Sequence, residues 1–439
     1  MSKMFFLKTV LSLAFFSTYF PNLSPVAEWS LLIYMQGDNS LSGCINPDIE
    51  EILKAHRMVT GIPLMVNTLV QVDYPQDQKT WRFKIDRYGK LDDASLNEEM
   101  GISPVDELVA SAKWVKSKYP ANHYALILWS HGSGIEDYRN SYLKLLNAKN
   151  FKHELNNNKL ENNFDKSRRG ILYDDSQGTC LRNEDLTSAL SQIKEVFGRK
   201  IDIVGMDACL MAMVEIAYQI KDYANILVGS QQIEPGTGWI FDRFLIPLIS
   251  DPYSFNAEIL AKLIVKTYGD FYIASGTQSA IYLDSLDLLY GNIDAVAKTI
   301  LECLNYRSPA VIGALKYARS NSLEFDNKKY IDLFCFYRQL NAKIPALRTE
   351  AENSTQSCCF VKPSQKYFMA LDLLHQHLSA GMLIISDVVF ANAANGNMKD
   401  AHGISIYYPI SRYKIHPSYP KTMFAQQVPS WLELLKKFV

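Results

Sequence analysis

The sequence lacks three features that would each indicate a function. Its 45 Lys and Arg residues against 46 Asp and Glu give a net charge of −1, so the basic footprint of a nucleic-acid-binding protein is absent. Its seven cysteines include no CxxC pair, and neither a zinc site nor a dense disulfide framework is indicated. No GxSxG turn occurs, which disfavours a hydrolase with a serine nucleophile.

Long apolar runs are also scarce. Residues 1–27 carry Lys3 and Lys8 around an apolar stretch, which is the layout of a secretory signal peptide; an uncleaved N-terminal helix is the alternative. No later segment is predicted to span a bilayer, since the nearest candidate, 381–394, is interrupted by Asp387. We therefore expect a secreted or periplasmic protein, with no stable membrane insertion beyond the signal peptide.

What the chain does have is an alternation of apolar strands and amphipathic helices, which predicts an α/β fold with a mostly parallel sheet. Its 439 residues exceed what one core usually serves, so we expect one large domain over 28–302 and a C-terminal α+β portion over 303–439. The predicted strands are 29–36, 63–73, 81–87, 124–130, 201–207 and 225–231, and the clearest helices are 47–59, 104–119 (capped by Ser103), 183–197 and 210–220.

Two of these strands end at a reactive side chain. YALILWSHGSG (124–134) stops at His131, and IDIVGMDACLM (201–211) stops at Cys209. Because catalytic groups collect at the carboxyl ends of parallel strands, we expect both to lie at one edge of the sheet. A thiol beside an imidazole is the minimal set for a cysteine nucleophile and its base. Buried packing of Cys209 is the alternative.

A long polar segment separates these two strands. The insert from 135 to 170 is rich in Asn and Lys and has little apolar periodicity. Lys166, Arg168 and Arg169 make it an exposed basic site suited to proteolytic processing. A solvated surface loop is an equally good interpretation.

Several motifs together resemble the clostripain family, the C11 cysteine peptidases of the caspase-like clan. They occur in the family's order over residues 29–439. The motifs are YMQGDNSLSG (34–43), LILWSHGSG (126–134), ILYDDSQGTCLRNEDLTSAL (171–190), MDACLMAMVEIAYQI (206–220), EPGTGW (234–239) and HGISIYYP (402–409).

The resemblance implies a caspase-like three-layer sandwich and an endopeptidase that cleaves protein or peptide substrates after Arg or Lys. It also implies maturation by self-cleavage between the His and Cys segments, where the insert lies. Some family members depend on Ca²⁺, so calcium is implied as an optional cofactor. The chain has no EF-hand-like run of carboxylates, and we expect no cofactor to be required.

The motifs suggest roles for individual residues. The backbone N–H groups of Gly132 and Cys209 are candidates for the oxyanion hole. Asp207 is a candidate for the floor of the primary specificity pocket, where a carboxylate pairs with a guanidinium; a turn-capping role is the alternative. The resemblance places a second acid where this chain has Thr237, so strict basic specificity is in question.

Nearby residues offer compensation or support for this site. Glu234 or Asp242 are candidates to replace the missing pocket charge. Asp38 and Asn39 follow the first strand and are candidates to support the site through turn hydrogen bonds. The Thr237 departure also motivates a competing hypothesis, a secreted binding protein of low or no activity on the same scaffold.

Overall fold

The computed structural model describes residues 26–61, 64–75, 79–96, 99–135, 170–353, 365–411 and 414–438. The predicted signal peptide and nearly all of the insert lie outside these ranges. The strands are β1 Ala27–Gln36, β2 Val66–Asp73, β3 Thr80–Asp86, β4 Gly89–Leu96, β5 Ala121–Trp129, β6 Gly170–Asp174, β7 Thr179–Arg182, β8 Ile201–Asp207, β9 Ala224–Gly229, β10 Ser275–Tyr282, β11 Tyr330–Asp332, β12 Val389–Gly396 and β13 Ser405–Tyr407.

A nine-stranded sheet runs through the molecule in the order β12-β10-β9-β8-β5-β1-β2-β3-β4. The five central strands β9, β8, β5, β1 and β2 are mutually parallel. The outer strands pair antiparallel, β3 and β4 at one edge and β10 and β12 at the other. Two small antiparallel pairs of strands, β6-β7 and β11-β13, lie outside this sheet.

Helices cover both faces of the sheet. They are α1 Ser42–Met58, α2 Pro104–Lys118, α3 Asn183–Phe197, α4 Val214–Ile220, α5 Phe241–Ser250, α6 Ala257–Phe271, α7 Leu286–Ser320, α8 Leu333–Asn341, α9 Ile344–Asn353, α10 Gln365–Val388, α11 Met423–Gln427 and α12 Pro429–Phe438.

Alternate residues of each central strand face two different cores. Leu126 and Leu128 of β5 contribute to the core beneath α2, α3 and α7. Ile127 and Trp129 contribute to the core beneath α1, α5 and α6. Strands buried on both faces read as continuous apolar runs, which is why the sequence marks them so clearly.

Some local predictions are wrong in detail. The helix predicted over 210–220 begins only at Val214, because residues 210–213 turn away from the strand end. Ser103 occupies the N-cap position of α2, but its side chain makes no capping hydrogen bond.

The expectation that no later segment is apolar enough to span a bilayer is also wrong. Among the described residues, α10 meets the length and composition criteria for a membrane span, with 33% of its apolar window buried. The core helix of a globular protein meets the same criteria, so this one helix is weak evidence. Tyr367, Leu371 and Leu374 of α10 are buried in the larger core.

Candidate active site

The carboxyl ends of β5 and β8 lie side by side. Their parallel register pairs Trp129 with Asp207, and the N–H of Ser130 donates to the carbonyl of Asp207 at 3.3 Å. His131 and Cys209 each follow this pair by two residues. The register therefore places both residues at the same edge of the sheet.

Gly132 packs tightly against the chain that follows β8. A Cβ atom at this position would lie 2.6 Å from the carbonyl oxygen of Cys209, so only glycine fits without a backbone shift. Gly132 also forms an isolated antiparallel bridge with Ile171. The hydrogen bonds of that bridge come from neighbouring residues, such as Leu172 N–H to the His131 carbonyl at 3.3 Å. The N–H of Gly132 lies outside this ladder.

The imidazole of His131 is buried and held by the turn after β1. Its Nε2 lies 2.8 Å from the hydroxyl of Ser40, and burial lowers its pKa to about 3, so the ring is neutral at neutral pH. Asn39 fixes this turn through its amide, which donates to Ser130 Oγ at 3.2 Å and to the Tyr173 carbonyl at 2.8 Å. The turn therefore orients the imidazole.

The thiol of Cys209, a half-buried residue, contacts the backbone of Glu234. The N–H of Glu234 donates to Sγ at 3.2 Å, and Sγ lies 3.9 Å from the Glu234 carbonyl. Burial raises the pKa of Cys209 to about 11. Leu210 then takes a left-handed backbone conformation with φ of 63°. In this conformation the thiol is protonated.

Asp207 lies below the thiol in a buried position. Its Oδ2 accepts a hydrogen bond from Trp239 N–H at 3.1 Å, and burial raises its pKa to about 6. A Cβ atom at Gly238 would lie 2.8 Å from both Asp207 oxygens. This close approach explains the glycine before the tryptophan in EPGTGW.

Glu234 supplies a second carboxyl beside Asp207. Burial and the neighbouring Asp207 charge raise the pKa of Glu234 well above its ordinary value. With its amide oriented to satisfy both partners, Gln278 donates to Glu234 Oε1 at 3.1 Å and accepts from Trp239 Nε1 at 2.7 Å. Glu234 Oε2 has no hydrogen-bond donor among the described residues. A proton on Glu234 shared with Asp207 accounts for this arrangement.

Thr237 and Asp242, the other two candidates for the pocket, make hydrogen bonds or ion pairs with other residues. Thr237 is exposed, and its hydroxyl lies 2.6 Å from that of Tyr272, which itself donates to the Gly238 carbonyl at 2.8 Å. Asp242 forms an ion pair with Lys54 and is not hydrogen-bonded to Asp207 in the part of the chain that the structure describes. Glu234 is therefore the acid that accompanies Asp207.

The chain matches a known family over most of its length. Residues 33–158 and 155–411 match the Clostripain family. The chain belongs to the clostripain family. The family assignment made from the sequence motifs is therefore confirmed.

Individual relatives agree with this assignment. The chain is 24% identical over 243 residues to clostripain of Hathewaya histolytica, a match that covers 49% of this chain and only 41% of the length of that protein. A secreted C11 cysteine protease from Bacteroides thetaiotaomicron, in complex with an irreversible peptide inhibitor, matches with a TM-score of 0.61, 17% identity and coverage of 92% of this chain and 99% of that one.

A third relative is an inactive zymogen C11 protease from Parabacteroides distasonis. It matches with a TM-score of 0.59, 18% identity and the same coverage of both chains, 92% and 99%. At these identities the likeness establishes the fold. The predicted caspase-like α/β sandwich is confirmed.

A cluster of buried carboxylates includes Asp38, which lies in the turn after β1 of this clostripain-family protein. Asp38, Glu99 and Asp174 each offer an oxygen within 4.8 Å of the others. Gln36 Nε2 links Asp174 (3.1 Å) to Asp73 (2.8 Å). Asp73 is fully buried, and its Oδ1 has no hydrogen-bond partner among the described residues. Such an oxygen-only set fits a hard cation such as Ca²⁺.

Sequence reasoning missed several of these residues. Asp48 of α1 is buried, accepts a hydrogen bond from Trp129 Nε1 at 2.7 Å and interacts electrostatically with Asp207. Ser40 contacts His131 although 91 positions separate them. Ser40 lies within the YMQGDNSLSG motif, but nothing in that motif assigns it to His131, and Asp48 in its helix carries no distinguishing spacing.

Proposed function

We propose that the protein is a cysteine endopeptidase in which Cys209 is the nucleophile and His131 the general base. The observation that carries this proposal is the β5-β8 register, which brings His131 and Cys209 to neighbouring strand ends, with Gly132 packed against the Cys209 backbone. The chain's membership of a cysteine peptidase family supports the same chemistry.

The reaction uses groups already present at this edge. His131 accepts the thiol proton, and the sulfur attacks the carbonyl carbon of the scissile bond. The N–H groups of Gly132 and Cys209 donate to the oxyanion. His131 then protonates the leaving amine, and water hydrolyses the thioester.

The described conformation has to open before this reaction can run. Burial favours a neutral thiol and a neutral imidazole, and the Glu234 backbone contacts the sulfur. Hydration of the two groups on opening would lower the pKa of Cys209 and raise that of His131. Self-cleavage within 136–170 is the activating event in this proposal, as the inactive zymogen relative suggests.

The substrate preference proposed is Arg or Lys before the scissile bond. Asp207 and Glu234 place two carboxyls below the thiol. A substrate cation would displace the proton they share, and a guanidinium can bind them through parallel hydrogen bonds. In this proposal Glu234 supplies the second carboxyl of the pocket, because position 237 holds a threonine and not an acid.

Two further parts of the proposal concern calcium and location. Asp38, Glu99 and Asp174 would hold Ca²⁺, which would neutralise their charge and stiffen the turn that carries Ser40. The reaction itself needs no metal. Export to a secreted or periplasmic location follows from the N-terminal sequence and from a secreted relative.

Hydrolysis of short amide reporters tests the proposal. We expect the wild-type chain to cleave Arg and Lys reporters faster than neutral ones, and Cys209→Ala to abolish cleavage. Cys303→Ala, which removes a buried thiol of α7, should retain activity. Unchanged hydrolysis by Cys209→Ala would refute the proposed nucleophile.

The contact between the Cys209 thiol and the Glu234 backbone favours a second candidate function, a binding protein whose site stays closed. The Glu234 contact with Sγ is the specific observation for it. If wild-type protein cleaved at the insert still hydrolyses no Arg, Lys or neutral reporter, this second function replaces the first.

A further inference from the structure

Three side chains of different chemical type meet outside the Cys209-His131 pair. Asp332 ends β11, Cys335 lies in the first turn of α8, and His402 precedes β13. The Nδ1 atom of His402 lies 3.2 Å from Asp332 Oδ1 and 3.8 Å from Cys335 Sγ. One ligand atom from each residue lies within 4.8 Å of the others.

These separations match tetrahedral zinc. Bond lengths of about 2.3 Å to sulfur and about 2.1 Å to nitrogen or oxygen place ligand atoms roughly 3.4–3.6 Å apart. The two observed distances, 3.2 Å and 3.8 Å, lie on either side of this range. For these two pairs a cation requires shifts of a few tenths of an ångström, and the Asp332 and Cys335 ligand atoms lie within 4.8 Å of each other.

Surrounding contacts already hold two of the ligands in place. Asp332 Oδ2 accepts hydrogen bonds from Gln231 Nε2 at 3.1 Å and from the N–H of His402 at 2.7 Å. Phe334 stacks on the imidazole of His402, with centroids 4.1 Å apart and an interplanar angle of 12°. Outer contacts of this kind orient metal ligands and strengthen binding.

The sulfur has two polar neighbours besides His402. It contacts the Asp400 carbonyl at 3.3 Å, and Arg338 Nη2 donates to it at 3.3 Å. The guanidinium opposes a second positive charge but stabilises a thiolate. Asp332 and Cys335 are buried, whereas the His402 side chain is 28% exposed, which leaves a path from solvent.

We propose that Asp332, Cys335 and His402 form a zinc site with water as the fourth ligand. Binding releases the Cys335 proton to solvent and moves the His402 proton to Nε2, so that Nδ1 can coordinate. The site joins α8 to the segment before β13. Through Gln231 it also contacts the segment after β9, so bound zinc would stabilise this side of the molecule. The CxxC rule could not indicate it, because His402 lies 67 positions from Cys335.

Cobalt substitution tests the site directly. The full-length, tag-free chain carries Cys209→Ala, so that the catalytic thiol neither binds the ion nor cleaves the protein. Titration with Co²⁺ should produce a near-ultraviolet thiolate-to-cobalt charge-transfer band, and added Zn²⁺ should remove it. Cys335→Ala should abolish the band, and His402→Gln should weaken Co²⁺ binding by at least about tenfold.

Matched variants distinguish this site from incidental binding. Cys303→Ala and His375→Gln remove a thiol and an imidazole elsewhere and should leave the band unchanged. Circular dichroism without metal establishes that each variant is folded; if Cys335→Ala is not, His402→Gln alone decides. Absence of the band in the parent chain, or its persistence at parent affinity in the folded variants, overturns the proposal.

Thermal unfolding gives an independent readout. A hundredfold excess of Zn²⁺ over its dissociation constant should raise Tm by roughly 3 °C in the parent chain. The shift should disappear in His402→Gln. Gln231→Ala, which removes hydrogen bonds to Asp332 and to the N–H of Gly403, should weaken Zn²⁺ binding by about tenfold. An equal Tm shift in parent and His402→Gln also overturns the proposal.

Discussion

Ser40 is the side chain that fixes the ring of His131. Its hydroxyl lies 2.8 Å from Nε2, one of the two ring nitrogens. A base in a catalytic pair commonly depends on a third group that orients it. Here that group is a neutral hydroxyl on the turn after β1.

Ser40→Ala should therefore lower kcat about tenfold with little change in KM, because one orienting hydrogen bond is lost. Steady-state kinetics on an Arg reporter measures this. Ser42→Ala, two residues further on in α1, is the control and should behave as wild type. Full activity in Ser40→Ala would show that the hydroxyl does not orient the base.

Asp207 should dominate the preference for basic substrates. Asp207→Asn removes the charge-assisted partner of the substrate cation, so kcat/KM for an Arg reporter should fall about 100-fold. A neutral reporter should be affected much less, and Thr237→Ala should leave both nearly unchanged. Equal losses on the two reporters would assign Asp207 a structural role only.

At this scale the sequence reveals the reactive side chains but not their partners. Cys209 and His131 stand out because each ends an apolar strand. Ser40 and Asp48 come from different segments, and only the fold brings them to the site. Glu234 lay within the recognised EPGTGW element, but its pairing with Asp207 depends on side-chain burial.

Among the elements, the turn after β1 connects the carboxylate cluster to the catalytic base. Asp38 lies in that cluster, and Ser40, two residues later, contacts His131. The Asp175 N–H also donates to the Asp38 carbonyl at 2.8 Å. Binding of a cation to the cluster would restrain the turn that orients the imidazole.

Calcium should raise Tm of the wild-type chain, and Asp174→Asn should remove most of that rise. The variant keeps the size of the side chain and loses one buried ligand charge. Tb³⁺ luminescence, competed by Ca²⁺, reports the same binding without any activity assay. Asp372→Asn, an exposed acid of α10, is the control. No Ca²⁺-dependent shift in wild type would refute this site.

Element prediction succeeded where burial dominates the sequence pattern. β1, β5, β8 and β9 are buried strands of the parallel centre and were predicted within a few residues. β4 was missed because GKLDDASL is polar. β12, whose sequence VFANAANG carries small and polar residues at a sheet edge, was missed for the same reason. The domain boundary near residue 302 stays a prediction.

Across the whole molecule, burial raises the pKa of several carboxyl groups. Asp48 rises to about 9 and Asp73 to about 8. Above about pH 4 the unfolded chain loses these protons while the folded chain keeps them, so stability falls as pH increases toward these raised values. Folding is thus favoured toward acidic pH by these groups.

The urea midpoint should consequently decrease between pH 5 and pH 9 in the absence of Ca²⁺. Asp48→Asn keeps an acceptor for Trp129 Nε1 and removes the titration of this carboxyl. Between pH 5 and pH 9 its midpoint should therefore fall less than that of the wild type. The difference corresponds to a free energy of unfolding on the order of a few kcal/mol. Parallel pH profiles for wild type and Asp48→Asn would contradict this assignment.

The central claim is that His131 activates Cys209 in an accessible cleft. The most direct measurement is mass spectrometry of the cleaved, active protein after reaction at neutral pH with an Arg-based acyloxymethyl ketone, which alkylates catalytic thiols. We predict one adduct, on Cys209, with labelling slowed at least about 100-fold in His131→Ala. Labelling of Cys44 or Cys180 instead, or an unchanged rate in His131→Ala, would contradict the account.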